Sequence, residues 1–240
     1  MAGNKYKRIL LKLSGEALMG DTGYGINKDM LKYLADELAE VKQLDLEMGI
    51  VVGAGNIFRG LAGASSGMDR AEADNMGMLA TIINSIALKD TLNRNNIPAL
   101  VLSAIRMEKV CKTFSRKTAL EHLVKGDTVI FGGGTGNPYF TTDTAALLRG
   151  LEIDADLICK ATRVDGVYDQ DPLKNSDAFK YDVLTYNEAL EKQLNVMDAT
   201  AISLAMDNNK LIRVFNIGTA GNLKKVVCGE NIGTLIKAED

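Results

Sequence analysis

The sequence of 240 residues predicts an α/β fold, a three-layer α/β/α sandwich around a mainly parallel central sheet. Three observations predict it. Short β-branched or leucine-rich runs alternate with longer stretches of helical periodicity. The runs are apolar at consecutive positions, as strands covered on both faces are. Glycine clusters follow them, at the carboxyl ends of strands where parallel sheets bind ligands.

The first run, residues 9–13, ends in Ser14-Gly15-Glu16. Residues 28–44 place Leu31, Leu34, Leu38 and Val41 at spacings of three and four, a helix with one apolar face. The second run, 49–52, leads into Gly53-Ala54-Gly55-Asn56. Residues 78–92 repeat the helical pattern with Leu79, Ile82, Ile83, Ile86 and Leu92. Runs 99–102 and 128–131 bracket a helix at 116–124, and the later run opens into Gly132-Gly133-Gly134-Thr135-Gly136-Asn137. A helix at 144–151, a strand at 155–159 and helices at 187–193 and 199–208 complete the pattern. Strands alternating with helices imply parallel pairing through crossovers.

Length favours one large domain or two closely packed lobes. A chain this long buries roughly 70–75% of its unfolded surface and needs no disulfide or metal to fold. The composition, 46% hydrophobic and 25% charged, is that of a globular protein, and the net charge of −3 argues against a dedicated nucleic-acid surface. Cys111, Cys159 and Cys228 show no CxxC spacing and read as reduced thiols. His122 is the single histidine, which excludes a His-rich metal site. No apolar run reaches the ~20 residues that span a bilayer, and the polar, basic first eight residues do not read as a signal peptide. The expected location is the cytoplasm.

Familiar phosphate motifs fail. The spacing from Gly15 to Gly20 continues Asp21-Thr22 without the P-loop lysine, and Gly53-Ala54-Gly55 lacks the third glycine of GxGxxG. Other residues carry phosphate chemistry instead. Lys12 stands within the first apolar run, where a charge needs a partner; it either snorkels to solvent or offsets charge on a transferring phosphoryl group. Arg59 follows the second glycine turn, as a solvated loop residue or as a two-pronged phosphate donor. Gly134-Thr135-Gly136-Asn137-Pro138-Tyr139-Phe140-Thr141-Thr142-Asp143 concentrates glycines, hydroxyls, an amide and aromatics before a helix, with Thr141 or Thr142 as N-cap. Asp143 could orient a lysine or contact magnesium indirectly, which is compatible with its stabilising that helix start. Lys160 sits at a strand end, followed by Thr162 and by Tyr168, which could stack on a purine. Asp74, taken alone, is an ordinary carboxylate near a helix start.

These blocks resemble the amino-acid kinase superfamily, from about residue 6 to 236, with every block in the family's order. Leu11-Lys12-Leu13-Ser14-Gly15-Glu16 and Lys160-Ala161-Thr162-Arg163-Val164-Asp165-Gly166-Val167-Tyr168 are similar to the superfamily at large. Residues 135–142 with Asp74, Asp69-Arg70, Val196-Met197-Asp198 and Ile212-Arg213-Val214-Phe215-Asn216 resemble the bacterial UMP kinase branch. The resemblance implies Mg²⁺-dependent phosphoryl transfer from ATP to UMP in pyrimidine nucleotide synthesis, with no organic prosthetic group. Lys12, Lys160, Arg59 and Asp143 would be catalytic. Lys12, Leu13, Ser14, Gly15, Gly55, Arg59, Thr162, Tyr168 and Asp171 would bind ATP. Ala54, Asp74, Thr135, Gly136, Asn137, Pro138, Tyr139, Phe140, Thr141 and Thr142 would bind UMP, with Asp74 on the ribose hydroxyls. Gly20-Asp21-Thr22-Gly23-Tyr24-Gly25 aligns with the segment used for activation by GTP. UTP inhibition and a homo-hexamer are also implied. Within a single domain over residues 1–240, about 6–152 would serve UMP and about 153–240 ATP. One departure is Ala54, where many relatives have glycine; alanine there is compatible unless φ is positive. The alternatives are a superfamily kinase acting on a carboxylate or carbamate, and a non-catalytic nucleotide sensor.

Overall fold

The computed structural model describes residues 4–59, 67–194 and 196–239. Gly60, at the end of the second glycine motif, lies outside them. The strands are β1 (Arg8–Leu13), β2 (Glu47–Val52), β3 (Ala99–Ser103), β4 (Lys112–Thr113), β5 (Thr128–Gly132), β6 (Leu157–Thr162), β7 (Val167–Tyr168), β8 (Lys180–Tyr181), β9 (Val183–Thr185), β10 (Ile212–Asn216) and β11 (Thr234–Lys237). The helices are α1 (Lys28–Lys42), α2 (Arg70–Arg94), α3 (Arg116–Val124), α4 (Thr142–Glu152), α5 (Tyr186–Glu191), α6 (Ala199–Asp207) and α7 (Asn222–Val227). Nine strands form one sheet in the order β4-β3-β5-β2-β1-β6-β10-β11-β9, and β7 and β8 form a small antiparallel ribbon. Within the large sheet only the β10–β11 pair is antiparallel, so the sheet is mainly parallel as the sequence predicts.

Alternation along β1 builds two cores. Ile9, Leu11 and Leu13 face a layer containing Leu34 and Leu38 of α1, Leu88 and Leu92 of α2, and Leu223 of α7. Leu10 faces the opposite layer, with Leu123 of α3, Ala146 and Leu147 of α4, Ala189 of α5 and Ile202 of α6. Lys12, two residues beyond Leu10, must therefore point into the α4 side.

Boundaries differ from the sequence reading where side chains serve the site. Helix α2 starts at Arg70, where Asp69 caps it by accepting from the N–H groups of Ala71 and Glu72. Its first two turns are polar, so no apolar period announces them before Met78. Strand β6 runs to Thr162, so Lys160 lies inside a strand instead of following one. Strands β10 and β11 are not among the expected runs. Buried Arg213 interrupts the apolar character of β10, and β11 is short and alternates buried with half-buried positions.

Candidate active site

Strand register brings the two lysines together. Lys12 and Lys160 are direct neighbours across the parallel β1–β6 pair, on the face that α4 covers. Two buried ammonium groups on adjacent strands repel each other unless a carboxylate stands between them. Asp143, in the first turn of α4, is that carboxylate. Its Oδ1 lies 2.9 Å from Lys12 Nζ and its Oδ2 lies 2.9 Å from Lys160 Nζ. The Lys160 contact is an aligned hydrogen bond, whereas Oδ1 pairs with Lys12 by charge without hydrogen-bond alignment. Lys160 Nζ also donates to the carbonyl oxygen of Val196.

Burial alone would raise the Asp143 carboxyl, but the Lys12 and Lys160 charges overcome it and hold it below the usual carboxylate range. Burial pushes the Lys160 ammonium down despite the opposing pull of Asp143. The result is an anion clamped between two cations at the carboxyl ends of the central strands. Such a group offers positive charge, with net excess, to an incoming phosphate.

Thr141 caps α4, accepting from Asp143 N at 3.0 Å and Thr144 N at 3.4 Å. Its hydroxyl donates to Asp198, and the Thr144 hydroxyl reaches the same carboxylate at 3.0 and 3.1 Å. Asp198 itself caps α6 by accepting from Ala201 N at 2.9 Å. One carboxylate thus ties the starts of α4 and α6 together beside Lys160. Its role was not legible in the sequence, where Val196-Met197-Asp198 stood out only as a block of family resemblance.

A cavity of ≈ 440 Å³ opens beside this cluster, within the usual range for small-ligand sites. Ala54, Gly55, Arg59, Asp74, Thr135, Phe140, Thr141 and Thr142 line it, and so do Phe58, Arg70 and Thr81. Gly55 and Arg59, assigned to ATP by resemblance, border the same cavity as Asp74. Asp74 is held by the Arg70 Nε at 2.8 Å and by the backbone N–H of Tyr139 at 2.8 Å. Arg70 also lies over the Tyr139 ring, 5.7 Å from its centroid, and Tyr139 has φ of 72°. A non-glycine residue held in the left-handed region needs surroundings that over-determine it, and such positions cluster at ligand sites. Gly136, Asn137, Pro138 and Tyr139 do not line the cavity; they form the turn that delivers Phe140 and Thr141 to it. Arg59 pairs with Glu16 from the β1 turn.

The β1 and β2 turns meet backbone to backbone. A Cβ on Gly15 would lie 2.5 Å from Gly55 N and 2.8 Å from the Gly53 carbonyl oxygen. None of Gly15, Gly53, Ala54 or Gly55 has positive φ, so glycine is needed here for close approach, and Ala54 is unstrained.

A second cavity of ≈ 380 Å³ lies past β6, lined by Tyr168, Asp171 and Pro172 on one side and Lys192, Gln193 and Leu194 on the other. The Tyr168 hydroxyl donates to Asp165 Oδ1 at 2.5 Å, which fixes the ring at the cavity's edge. Thr162 does not line it; its hydroxyl donates to the Val164 carbonyl oxygen at 2.6 Å. The 20–25 segment stands apart from both cavities, with a short 3₁₀ turn at Gly20–Thr22, left-handed Gly23 and Gly25, and exposed Tyr24. His122 bonds Asp127 at 2.7 Å on α3, away from the lysine cluster.

The mainly parallel sheet and the lysine–carboxylate–lysine cluster at its rim define a phosphotransferase of the amino acid kinase kind. The model of the Amino acid kinase family matches residues 7–216, and the chain belongs to that family. Among solved structures, the UMP kinase from Bacillus anthracis is 41% identical, with a TM-score of 0.94 over 98% of this chain and 97% of that one. The UMP kinase from Ureaplasma parvum is 38% identical, with a TM-score of 0.90 over 97% of this chain and 99% of that one. The uridylate kinase from Archaeoglobus fulgidus is 28% identical, with a TM-score of 0.72 over 95% and 99% of the two chains.

Proposed function

We propose that the protein transfers the γ-phosphoryl group of ATP to UMP, giving UDP and ADP. The observation that carries this reading is the Lys12–Asp143–Lys160 cluster placed beside two cavities, one on the Asp74 side and one past β6. Similarity to solved UMP kinases supports UMP as the acceptor. The larger cavity would take UMP, with Asp74 accepting from the ribose hydroxyls and Thr135, Phe140, Thr141 and Thr142 around the nucleotide. The cavity past β6 would take the adenosine of ATP between Tyr168 and Leu194. Residues 6–152 would thus serve mainly the acceptor and 153–240 the donor.

The chemistry needs little covalent work from the chain. The phosphate of UMP is already an anionic nucleophile at neutral pH, so positioning and charge stabilisation dominate. Lys12 and Lys160 would offset charge on the transferring group, Arg59 would exchange Glu16 for a phosphate oxygen, and Asp143 would hold both lysines apart and in place. Ser14 and Gly15 would present the β1 turn to the donor phosphates. The described residues contain no cluster of three metal-ligating side chains, and Asp143 is engaged by two ammonium groups. Mg²⁺ is therefore read as part of the substrate, carried by the ATP phosphates.

Activation by GTP through the 20–25 segment and inhibition by UTP belong to the same reading. So does assembly into a homo-hexamer. Met76, Leu79 and Ile83 form an exposed apolar stripe along α2, which supports self-association. Among the described residues no helix is long and apolar enough to cross a membrane, and the proposed location is the cytoplasm.

Coupled ADP release with ATP, Mg²⁺ and each of UMP, CMP, dTMP, glutamate and carbamate, with and without GTP, tests the proposal. Turnover with UMP is expected to exceed all others. Turnover of glutamate or carbamate with UMP inert would overturn the acceptor assignment. Binding of UMP and ATP without turnover would make the protein a sensor.

A further inference from the structure

The 20–25 segment is joined to the acceptor cavity by a buried pair of amides. Gly25 donates its N–H to the Asn56 carbonyl oxygen at 2.8 Å, and its own carbonyl oxygen accepts from Asn56 Nδ2 at 2.8 Å. Asn56 and Asn84 then bond each other in both directions. Asn56 Nδ2 donates to Asn84 Oδ1 at 3.0 Å, and Asn84 Nδ2 donates to Asn56 Oδ1 at 2.7 Å. Asn84 Nδ2 also donates to the carbonyl oxygen of Gly53 at 2.8 Å.

Both side chains are buried, Asn56 at 1% and Asn84 at 0% exposure, and both amides have every group satisfied. A satisfied network in a low-dielectric interior fixes position strongly, because any rearrangement leaves a buried polar group unpaired. There is no slack around it either: a Cβ on Gly15 would lie 2.6 Å from Asn56 Oδ1. The pair is wedged between the β1 turn, the β2 turn and the 20–25 segment. Behind it stands α2, the helix that carries Asp74 and Thr81 into the cavity.

We infer that Asn56 and Asn84 are positioning residues that couple the Gly53–Gly55 turn to the exposed 20–25 segment, so that an occupant of the acceptor cavity and a change at that segment sense each other. The inference rests on reading that cavity as the UMP site. It assigns to the amide pair a job that neither cavity reveals, since neither side chain lines one.

The chain contains no tryptophan, and Tyr24 is 69% exposed. Tyr24→Trp therefore places one fluorescent reporter on the segment. Saturating UMP is expected to change the emission of that indole, with a midpoint matching the Kd from calorimetry. In Tyr24→Trp combined with Asn84→Ala, calorimetry is expected to show UMP still bound, about fivefold or more weaker, while the indole response is lost. A full response in the double variant overturns the inference. So does an indole silent to UMP in a chain that calorimetry shows to bind it. Hydrogen exchange without ligand reads the same coupling. Asn84→Ala is expected to speed exchange at Gly25 and across residues 53–56 and to leave β10 unchanged; unchanged exchange at Gly25 overturns the coupling. Asn84→Leu, similar in volume and without a donor, takes the same measurements if the alanine variant does not fold. Absence of UMP binding in the parent chain would refute the UMP reading, while the exchange experiment still decides the coupling.

Discussion

Two glycine turns leave the same edge of the sheet and meet opposite ends. After β2, Gly53-Ala54-Gly55 packs against Gly15 and opens onto the cavity lined by Arg59 and Asp74. After β10, the turn that reaches Gly221 is already closed. Glu37, buried on α1, accepts from the Gly221 N–H through both carboxylate oxygens at 2.9 and 3.1 Å. A glycine turn at a strand's carboxyl end can face a cavity or be filled from within the protein. One turn borders a cavity, and in the other the protein supplies its own carboxylate. A glycine turn on the rim is therefore not a site by composition; what fills the space beside it decides.

The largest expected effect lies on the open side. Lys12→Ala should lower kcat by roughly 10²–10³, the scale of losing one charge-stabilising donor. ADP release within about threefold of the parent would remove Lys12 from the chemistry. Asp74→Ala should follow, raising the KM for UMP by roughly tenfold or more, as loss of a charged hydrogen-bond acceptor does. The KM for ATP should move far less, and equal shifts in both would take Asp74 out of the acceptor cavity.

Substitutions in the turns themselves sharpen the contrast. Gly15→Ala forces a Cβ to within 2.5 Å of backbone, and should cost about 1–3 kcal/mol in stability together with activity. On the closed side, Gly218→Ala meets only the Asn216 side-chain oxygen at 3.1 Å and should be mild by denaturant titration. Glu37→Ala orphans the Gly221 N–H and should cost about 1–3 kcal/mol while kcat stays within twofold. A large kcat loss there would mean that the closed turn also serves the reaction.

The smallest expected effects are in pH. Burial raises the Glu37 carboxyl above its ordinary 4.5, so the folded state holds that proton more tightly than the unfolded chain. Stability should fall as pH rises from about 4.5 through the raised value, and Glu37→Gln should flatten that slope. On the open side, burial lowers the Lys160 ammonium below 10.5, so the alkaline limb of activity should begin earlier than a free lysine would allow. Lys160→Arg should push that limb upward even as kcat falls, because guanidinium keeps its proton.

Much of the sheet was legible because buried parallel strands leave an unmistakable apolar run, and β1, β2, β3, β5 and β6 all appear within a few residues of their expected places. The failures have physical causes. The start of α2 is polar because Arg70 and Asp74 face the cavity, so the helix shows no period where it matters most. Strand β10 hides behind Arg213, whose guanidinium donates to the Ile232 carbonyl oxygen inside the protein. Arg70, Asp198 and Glu37 carry polar side chains that look like surface residues until their partners, distant in sequence or presented by a folded turn, are known.

The sequence by itself determined that this is a two-sided parallel sheet with phosphate-suited turns on one rim, because apolar periodicity and glycine placement are local properties of the chain. It also named Lys12, Lys160 and Asp143 as candidates. Only the tertiary structure decided that they form one unit, since the register of β1 against β6 makes the lysines neighbours and the start of α4 sets Asp143 between them. It likewise decided which glycine turns stay open. Asn84 holds the Gly53 carbonyl oxygen and Glu37 the Gly221 N–H, contacts between residues far apart in the chain, and long-range packing is not written in any local stretch of residues.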